Sequence, residues 1–423
     1  MSEQFLSGTN LKHAGDHNLR VTLQAIRLNG PVSRAELAKI TGLTPQTIAY
    51  ISKKLIAKDL VIETGRRRGY RGQPATEIVI NPDGGYSIGV NIDRDHLTVI
   101  LIDLSGAVRA RKHVEKNFFL PDEAFAWIED VYHDVLEEDT LSKEDLTGVG
   151  LAIPFKLGYR RLSQTPESFA AWQDYPAGSR LEEIVGVSVH EENDATAASI
   201  GEAQYGHGVS IQSFFYLFIG YGLGGGLVID GNYVHGYDGH SGEIGHIPLA
   251  GITARNRSTN LQDKVSLSTL YTSLEQAGIK ASNPGDLVGV LDTHPGKIRE
   301  WLDSAADHLL PQLIAISCVI NPGAIFIGGR LPEPLIEILI EALEKRIDPI
   351  RDELPSTPPI LRAKTLADAA VLGAAIVPFT KTLFPAHDVL MKKSTRSESR
   401  YRQKLATDTT TDSKNDAAYL KAS

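Results

Sequence analysis

The sequence has a single cysteine, Cys318, in 423 residues. One cysteine closes no intramolecular disulfide and cannot build a thiolate zinc site alone. Long apolar runs are missing too. The longest nearly uncharged one, residues 369–379, spans 11 residues, against the ~20 that a membrane-crossing helix needs. The N-terminal stretch carries scattered charges and no apolar leader segment, so secretion is not expected and a cytoplasmic setting is. What remains is ordinary: 42% hydrophobic and 22% charged residues, which exclude a largely disordered or fibrous chain. At ~100–200 residues per domain, the length predicts two to four domains.

Positive charge is scarce over most of the chain. The formal net charge is −9, yet residues 1–75 hold 12 Lys and Arg against 5 Asp and Glu, a net of +7. The remainder holds 31 against 47, a net of −16. An acidic body repels a phosphate backbone, whereas a basic head attracts one.

Within the head, residues 18–29 carry Leu19, Leu23 and Ile26 at helical spacing. Ser33, with Glu36 three residues on, has capping-box spacing and predicts a short helix with Leu37 and Ile40 inward. Gly42 supplies a turn. Thr44 and Pro45 open the next helix as cap and first residue, with Ile48, Ile51 and Leu55 on one face. Small Ala38, Gly42 four residues later and Ile48 six after that have the spacing of a helix-turn-helix. Apolar strands at 60–63 and 76–80 then flank a tip bearing Arg66, Arg67, Arg68 and Arg71. This outlines a winged helix-turn-helix over residues 1–80, with double-stranded DNA as partner. The plainer alternative is a helical hairpin with a solvated basic loop. In the winged fold the second helix enters the major groove. Thr44, Gln46, Thr47 and Tyr50 are then placed to meet bases: Gln46 suits adenine and the threonines suit thymine methyls. Lys53 and Lys54 suit phosphates. The wing arginines suit phosphates or a narrow minor groove.

Asn81-Pro82-Asp83-Gly84-Gly85 is a turn cluster and the expected domain boundary. Beyond it, strands are expected at 86–92, 96–103 and about 108–114, a helix from 121 to about 136, and strands at 148–153 and 187–190. A helix near 195–205 and strands at 213–218 and 225–230 follow. Strands alternating with helices predict an α/β body over 81–385. The pattern restarts part-way, which predicts two similar lobes about a cleft. Residues 302–320 read as a buried helix with Cys318 in the core. Residues 335–347 read as amphipathic and 369–379 as a closing helix. Residues 391–423, with 8 basic against 4 acidic side chains, read as a disordered tail with weak attraction for DNA.

Four motifs stand out: Glu192-Asn193-Asp194-Ala195, the glycine stretch at 220–226, Gly242-Glu243-Ile244-Gly245-His246, and Asn321-Pro322-Gly323-Ala324-Ile325-Phe326-Ile327-Gly328-Gly329. In this order, behind a winged helix, they resemble the ROK family, which groups repressors, uncharacterised reading frames and sugar kinases. The resemblance spans roughly residues 15–380 and points to the regulator branch. It implies an actin-like, hexokinase-like (ribonuclease H-like) body with a sugar between two lobes. Asn193, Asp194, Glu243 and His246 match the positions that hold sugar hydroxyls, and Asp194 matches the kinases' general base. The plainer readings are helix capping by Asn193 or Asp194, a surface Glu–His pair, and a tight hairpin for the glycines.

The sequence departs from the kinases where they read Asp-x-Gly-Gly-Thr. Here Asn91-Ile92-Asp93-Arg94-Asp95 puts an amide, side chains and negative charge where phosphate would lie. Tyr221 replaces a small hydroxyl residue. ATP-dependent catalysis is therefore not expected. The family's zinc cysteines are absent: Ser266 stands for the last, and Ser268 for a glutamate that helps hold sugar. Hydroxyls are poor zinc ligands beside thiolates, so no metal is expected. A site from His235, His240 and His246 is the remote alternative. Phe155 replaces a glycine near the sugar and predicts an altered pocket.

The leading expectation is a sugar-responsive transcriptional regulator, a repressor acting as a homodimer or higher homo-oligomer with no membrane association. A ligand would reset two DNA-binding heads over half-sites multiples of ~34 Å apart. The alternatives are an active sugar kinase with a DNA-binding head and a ligand-independent DNA-binding dimer.

Overall fold

A computed structural model of the chain describes residues 11–66, 76–159, 162, 165–249 and 259–385. Arg67, Arg68, Arg71 and the tail at 391–423 lie outside the described residues.

The head has three helices, α1 (Leu11–Asn29), α2 (Arg34–Thr41) and α3 (Pro45–Ile56), and three strands, β1 (Val32–Ser33), β2 (Val61–Arg66) and β3 (Thr76–Ile80). The strands form an antiparallel sheet in the order β1-β3-β2. Ser33 and Glu36 close a capping box on α2, and Gly42 ends it at φ 69°, a conformation glycine adopts at little cost. Thr44 caps α3 and Pro45 follows. Leu23, Ile26, Leu37, Ile48, Ile51 and Leu55 share one core. Ile40 does not join it and stays 50% exposed. The helix is eight residues long, and Leu37 is its one buried residue, so the last turn runs past the edge of the core.

The body starts with β4 (Tyr86–Ile92), β5 (His96–Asp103), β6 (Val108–Glu115), α4 (Pro121–Glu138), β7 (Leu146–Ile153), α5 (Ala177–Val185), β8 (Val189–Asn193) and α6 (Asp194–Tyr205). The second half has β9 (Phe214–Ile219), β10 (Leu223–Ile229), β11 (Asn232–Tyr233), α7 (Leu267–Gln276), α8 (Pro284–Thr293), α9 (Pro295–Val319), β12 (Ala324–Gly329), α10 (Glu333–Ile347), β13 (Ile360–Arg362) and α11 (Ala369–Thr382). The sheets run β6-β5-β4-β7-β8 and β11-β10-β9-β12-β13. Each is an antiparallel meander whose first strand also pairs in parallel with a fourth, and the fourth with a fifth. The body is therefore one topology used twice, as the restart of the pattern predicted. Each lobe has its own apolar core.

Two helices join the lobes. α11 packs on the first sheet through Gly89 and Gly150, and α6 packs on β10 through Gly224 and Gly226. They cross where Gly373 meets the backbone of Ala197. A methyl at Gly373 would stand 1.6 Å from the Ala197 carbonyl oxygen, and such overpacking costs ~1–3 kcal/mol or more. The head sits against this seam. Leu23 and Ile26 of α1 share a cluster with Ile100, Ile102, Val371, Ile376 and Phe379.

Cys318 is exposed, not in the core. Ser317, one residue back, takes the inward position and donates to the Leu313 carbonyl at 2.8 Å. One helical step of ~100° turns the next side chain to solvent. Among the described residues no helix is long and apolar enough to cross a membrane.

Candidate functional site

β8 ends at Asn193 and α6 begins at Asp194. Asn193 caps the helix: its Oδ1 accepts from the N–H groups of Ala195 at 3.0 Å and Thr196 at 3.2 Å. The cap uses the amide oxygen, so the Nδ2 donors stay on the cleft side, one reaching Glu243 Oε1 at 3.5 Å. Capping and ligand-facing roles are thus compatible in one side chain. Asp194 Oδ1 accepts from the Ala195 N–H at 2.8 Å. Burial pushes the Asp194 carboxyl up to about 7, and nearby Asp93 adds to the rise, while Arg94 opposes it.

Glu243 and His246 bracket one 3₁₀ turn, Ile244–His246, and sit 3.7 Å apart. Burial raises the Glu243 carboxyl as well. Asn193, Asp194, Glu243 and His246 all line one cleft of about 750 Å³ between the lobes. That is within the usual size of small-molecule sites, ~300–1,000 Å³. Two acids, an amide and an imidazole on partly apolar walls can exchange hydrogen bonds with several hydroxyls at once.

The cleft also contains groups the sequence did not single out for it. Lys156 and Tyr159 come from the loop after β7, and Asn260 and Gln262 from the approach to α7. Their sequence neighbourhoods carry no motif, so only the fold brings them in. Phe155 lies in the wall, its ring centroid 3.8 Å from that of His240. Gly222 and Gly224 line the cleft too, but Gly224 and Gly226 have a second duty. A Cβ on them would come within 2.8 Å of Ala195 and 2.5 Å of Ser199. These glycines let α6 lie on β10.

Ser266 stands for the last zinc cysteine of the family and Ser268 for a glutamate that helps hold sugar. Ser266 and Ser268 are buried and hydrogen-bond each other at 2.9 Å. His235, His240 and His246 bring no set of ring nitrogens together; among the described residues only Asp93, Asp95 and His96 form a compact group. That group is already engaged. His96 Nδ1 meets Asp95 Oδ1 at 2.7 Å, and its Nε2 meets Asn91 Nδ2 at 2.9 Å. Arg330 reaches the same Asp95 oxygen at 3.0 Å and also pairs with Glu115. Arg94 pairs with Asp93 at 3.4 Å. The turn between β4 and β5 is therefore a buried charge network, in which Arg94 Nε, Asp95 Oδ2 and Arg330 NH1 have no hydrogen-bond partner.

On the head, Gln46, Tyr50, Lys53 and Lys54 are exposed on α3, Tyr50 by 67%. Thr44 is exposed and Thr47 partly so; their hydroxyls share one hydrogen bond at 2.9 Å, which leaves one O–H donor besides the two methyl groups. Of Arg66, the backbone pairs with Thr76 at the end of β2.

Comparison with known proteins settles the family. A ROK family profile matches residues 87–380, more than half of the chain. The chain belongs to the ROK family. A profile for winged helix-turn-helix DNA-binding domains matches residues 16–62. An uncharacterised protein y4fQ of Sinorhizobium fredii is 29% identical over 370 residues, 87% of this chain and 92% of that protein. A xylose repressor of Bacillus spizizenii is 30% identical over 233 residues, 55% of this chain and 60% of that protein. A solved ROK family transcriptional regulator, a homolog of E. coli MLC protein, superposes with a TM-score of 0.63. It is 23% identical and covers 86% of this chain and 96% of its own. The winged helix-turn-helix profile and the ROK profile therefore match successive parts of this one chain.

Proposed function

We propose that this ROK protein is a DNA-binding transcriptional repressor of carbohydrate genes, controlled by a sugar bound in the interlobe cleft. Asn193, Asp194, Glu243 and His246 are its sugar-binding residues. Gln46, Tyr50 and the methyls of Thr44 and Thr47 face the bases, and Lys53, Lys54 and the wing arginines face phosphates. The head is assigned to residues 1–80 and the body to 81–385. The protein works in the cytoplasm as a homodimer or higher homo-oligomer. ATP and zinc have no part in this reading.

One observation carries the proposal. α6 starts at the cleft with Asp194 and ends at Tyr205, next to Gln204, which accepts from Arg27 of the head at 2.6 Å. A 12-residue helix spans ~18 Å, so one rigid element touches both the sugar site and the head. Movement of the lobes on ligand binding would then move the head. A coupling of ~1–3 kcal/mol changes DNA affinity ~5–150-fold, which suffices for regulation. The test is a gel-shift titration on the protein's own upstream DNA, at one stated salt concentration, with and without a sugar panel. A several-fold change with one sugar supports the proposal. Specific DNA binding that no sugar moves favours a ligand-independent dimer instead.

A second reading, a sugar kinase with a DNA-binding head, is favoured by Asp194, whose carboxyl at about 7 suits a general base. The Asp93-Arg94-Asp95 turn weighs against it. ATP turnover with a sugar, abolished in Asp194→Asn, would establish the kinase.

A further inference from the structure

Arg94 is the one residue of the β4–β5 turn that opens on the cleft. It is buried, with 8% of its surface exposed, yet its guanidinium is poorly served. Of its five N–H donors, NH1 makes a long hydrogen bond to Asp93 Oδ1 at 3.4 Å. Nε is buried without an acceptor. The better bond to Asp93, at 2.7 Å, comes from the backbone N–H of Arg94 and not from the side chain. Its neighbour in the network, Arg330, lies at ion-pair distance from both Asp95 and Glu115, although its NH1 also lacks a hydrogen-bond partner. A buried arginine with idle donors is costly unless an acceptor comes to it.

The surroundings say what that acceptor is. Gly222 lines the same part of the cleft: an added Cβ there would stand 4.0 Å from Arg94 NH1, with Gln262 Oε1 at 3.5 Å and Leu162 at 3.7 Å. Asp194 and Glu243 face Arg94 across the cleft and lie close enough to feel its charge, but neither is hydrogen-bonded to it. Burial keeps both carboxyls more protonated than usual, which weakens their competition for the arginine. Lys156 adds a cationic group to the same walls. Arginine's planar fork matches carboxylate and phosphate.

We propose that Arg94 is an anion-binding residue of the cleft, and that the ligand is a monosaccharide bearing a phosphate or carboxylate group. The sugar ring lies against Asn193, Asp194, Glu243 and His246, and its anionic substituent pairs with Arg94 beside Gly222. This rests on the sugar-binding reading above and names the chemical class of the ligand.

Isothermal titration of the full chain, at neutral pH and about 0.15 M salt where surface charge is screened, compares glucose, glucose 6-phosphate and glucuronate. Xylose and arabinose serve as further neutral probes. The anionic form is expected to bind ~10-fold or more tightly than its neutral parent, as befits a charge-assisted pair. Which of the two anionic sugars gains tells phosphate from carboxylate. In Arg94→Met the ratio of anionic to neutral affinity falls to near one, and in Arg94→Lys it is partly restored. Circular dichroism checks folding, and Arg94→Gln replaces the methionine variant if that one unfolds. Equal affinities in the wild type, or a preference that survives in Arg94→Met, overturn the assignment. If neutral sugars bind and Asp194→Asn abolishes their binding, the sugar site stands and only the anionic class falls. If nothing in the panel binds, both fall.

Discussion

Arg330 and Asp95 meet at 3.0 Å across the two lobes, with 5% and 1% of their side chains exposed. Arg330 follows β12 in the second lobe and Asp95 lies in the β4–β5 turn of the first. Burial alone would raise the Asp95 carboxyl, but Arg330 and His96 outweigh it and hold it down at about 2. Removing one partner strands the other charge in a dry place. Arg330→Met should therefore lower stability by ~3–5 kcal/mol, read as a fall in unfolding midpoint. Asp95→Asn combined with Arg330→Met should cost less than the sum of the singles. The pH sign follows from the depressed carboxyl. Its contribution is present above its unfolded value of about 3.9 and is lost as pH falls toward 2. Urea midpoints between about pH 5 and 2 should therefore fall less steeply in Asp95→Asn. Equal slopes would show that the pair contributes nothing.

Asp194 titrates the other way. A carboxyl raised to about 7 in the fold favours the protonated state. The protein is then most stable, as far as this group matters, below the unfolded value of about 3.9, and loses that advantage as pH rises toward 7. Asp194→Asn mimics the protonated form. It should melt higher than wild type at about pH 8 and nearly level with it at about pH 4. The same substitution should abolish the sugar effect in the gel shift. A variant less stable than wild type at high pH would mean that Asp194 is ionised and well paired.

These two acids show what was legible in the sequence. Asp194 sits in a local motif, where a strand ends and a helix begins, so its place could be read. The bounds of β4 and β5 came out as the alternation predicted, because strand and turn signals are local. Asp95 with Arg330 was not legible: 235 residues separate them, and no local pattern says that the two turns meet. Asn260 and Gln262 entered the cleft unannounced for the same reason. Ile40 and Cys318 failed differently. Both are apolar residues at helix ends, where helical spacing still counts them inward but the packing partner has run out. The sequence marks Arg94 as a departure from the kinase turn, and the fold places its side chain in the cleft lining.

The joint between head and body makes a prediction of its own. Arg27 lies 4.9 Å from the Phe384 ring centroid and 5.5 Å from that of Tyr205, while donating to Gln204. Arg20 reaches the carbonyls of Lys381 and Phe384, both at 3.1 Å. Arg27→Met keeps the length of the side chain but loses the hydrogen bond and the charge. It should leave operator affinity without sugar within a few-fold of wild type. The sugar-induced change in affinity should shrink toward one, a loss of coupling with little loss of binding. A full sugar response in this variant would mean that the signal travels through another contact, with α11 and Lys381 next to be tried.

The recognition helix offers a test that separates reading from holding. Gln46 and Tyr50 are four residues apart, so they share a face of α3, and Lys53 follows one turn later. A glutamine pairing with adenine discriminates by ~1–3 kcal/mol, whereas a lysine on phosphate adds affinity to any sequence. Gln46→Ala should therefore weaken binding to the operator more than binding to scrambled DNA, narrowing the ratio between them. Lys53→Ala should weaken both alike and reduce the slope of log affinity against log salt by ~1. Thr44→Ala should act through the fold instead, because its hydroxyl caps α3, at a cost of ~1 kcal/mol in stability. Gel shifts at four or five salt concentrations give both slope and ratio. If Gln46→Ala and Lys53→Ala lower affinity for the two DNAs in equal measure, Gln46 reads no base and specificity must lie elsewhere on the head.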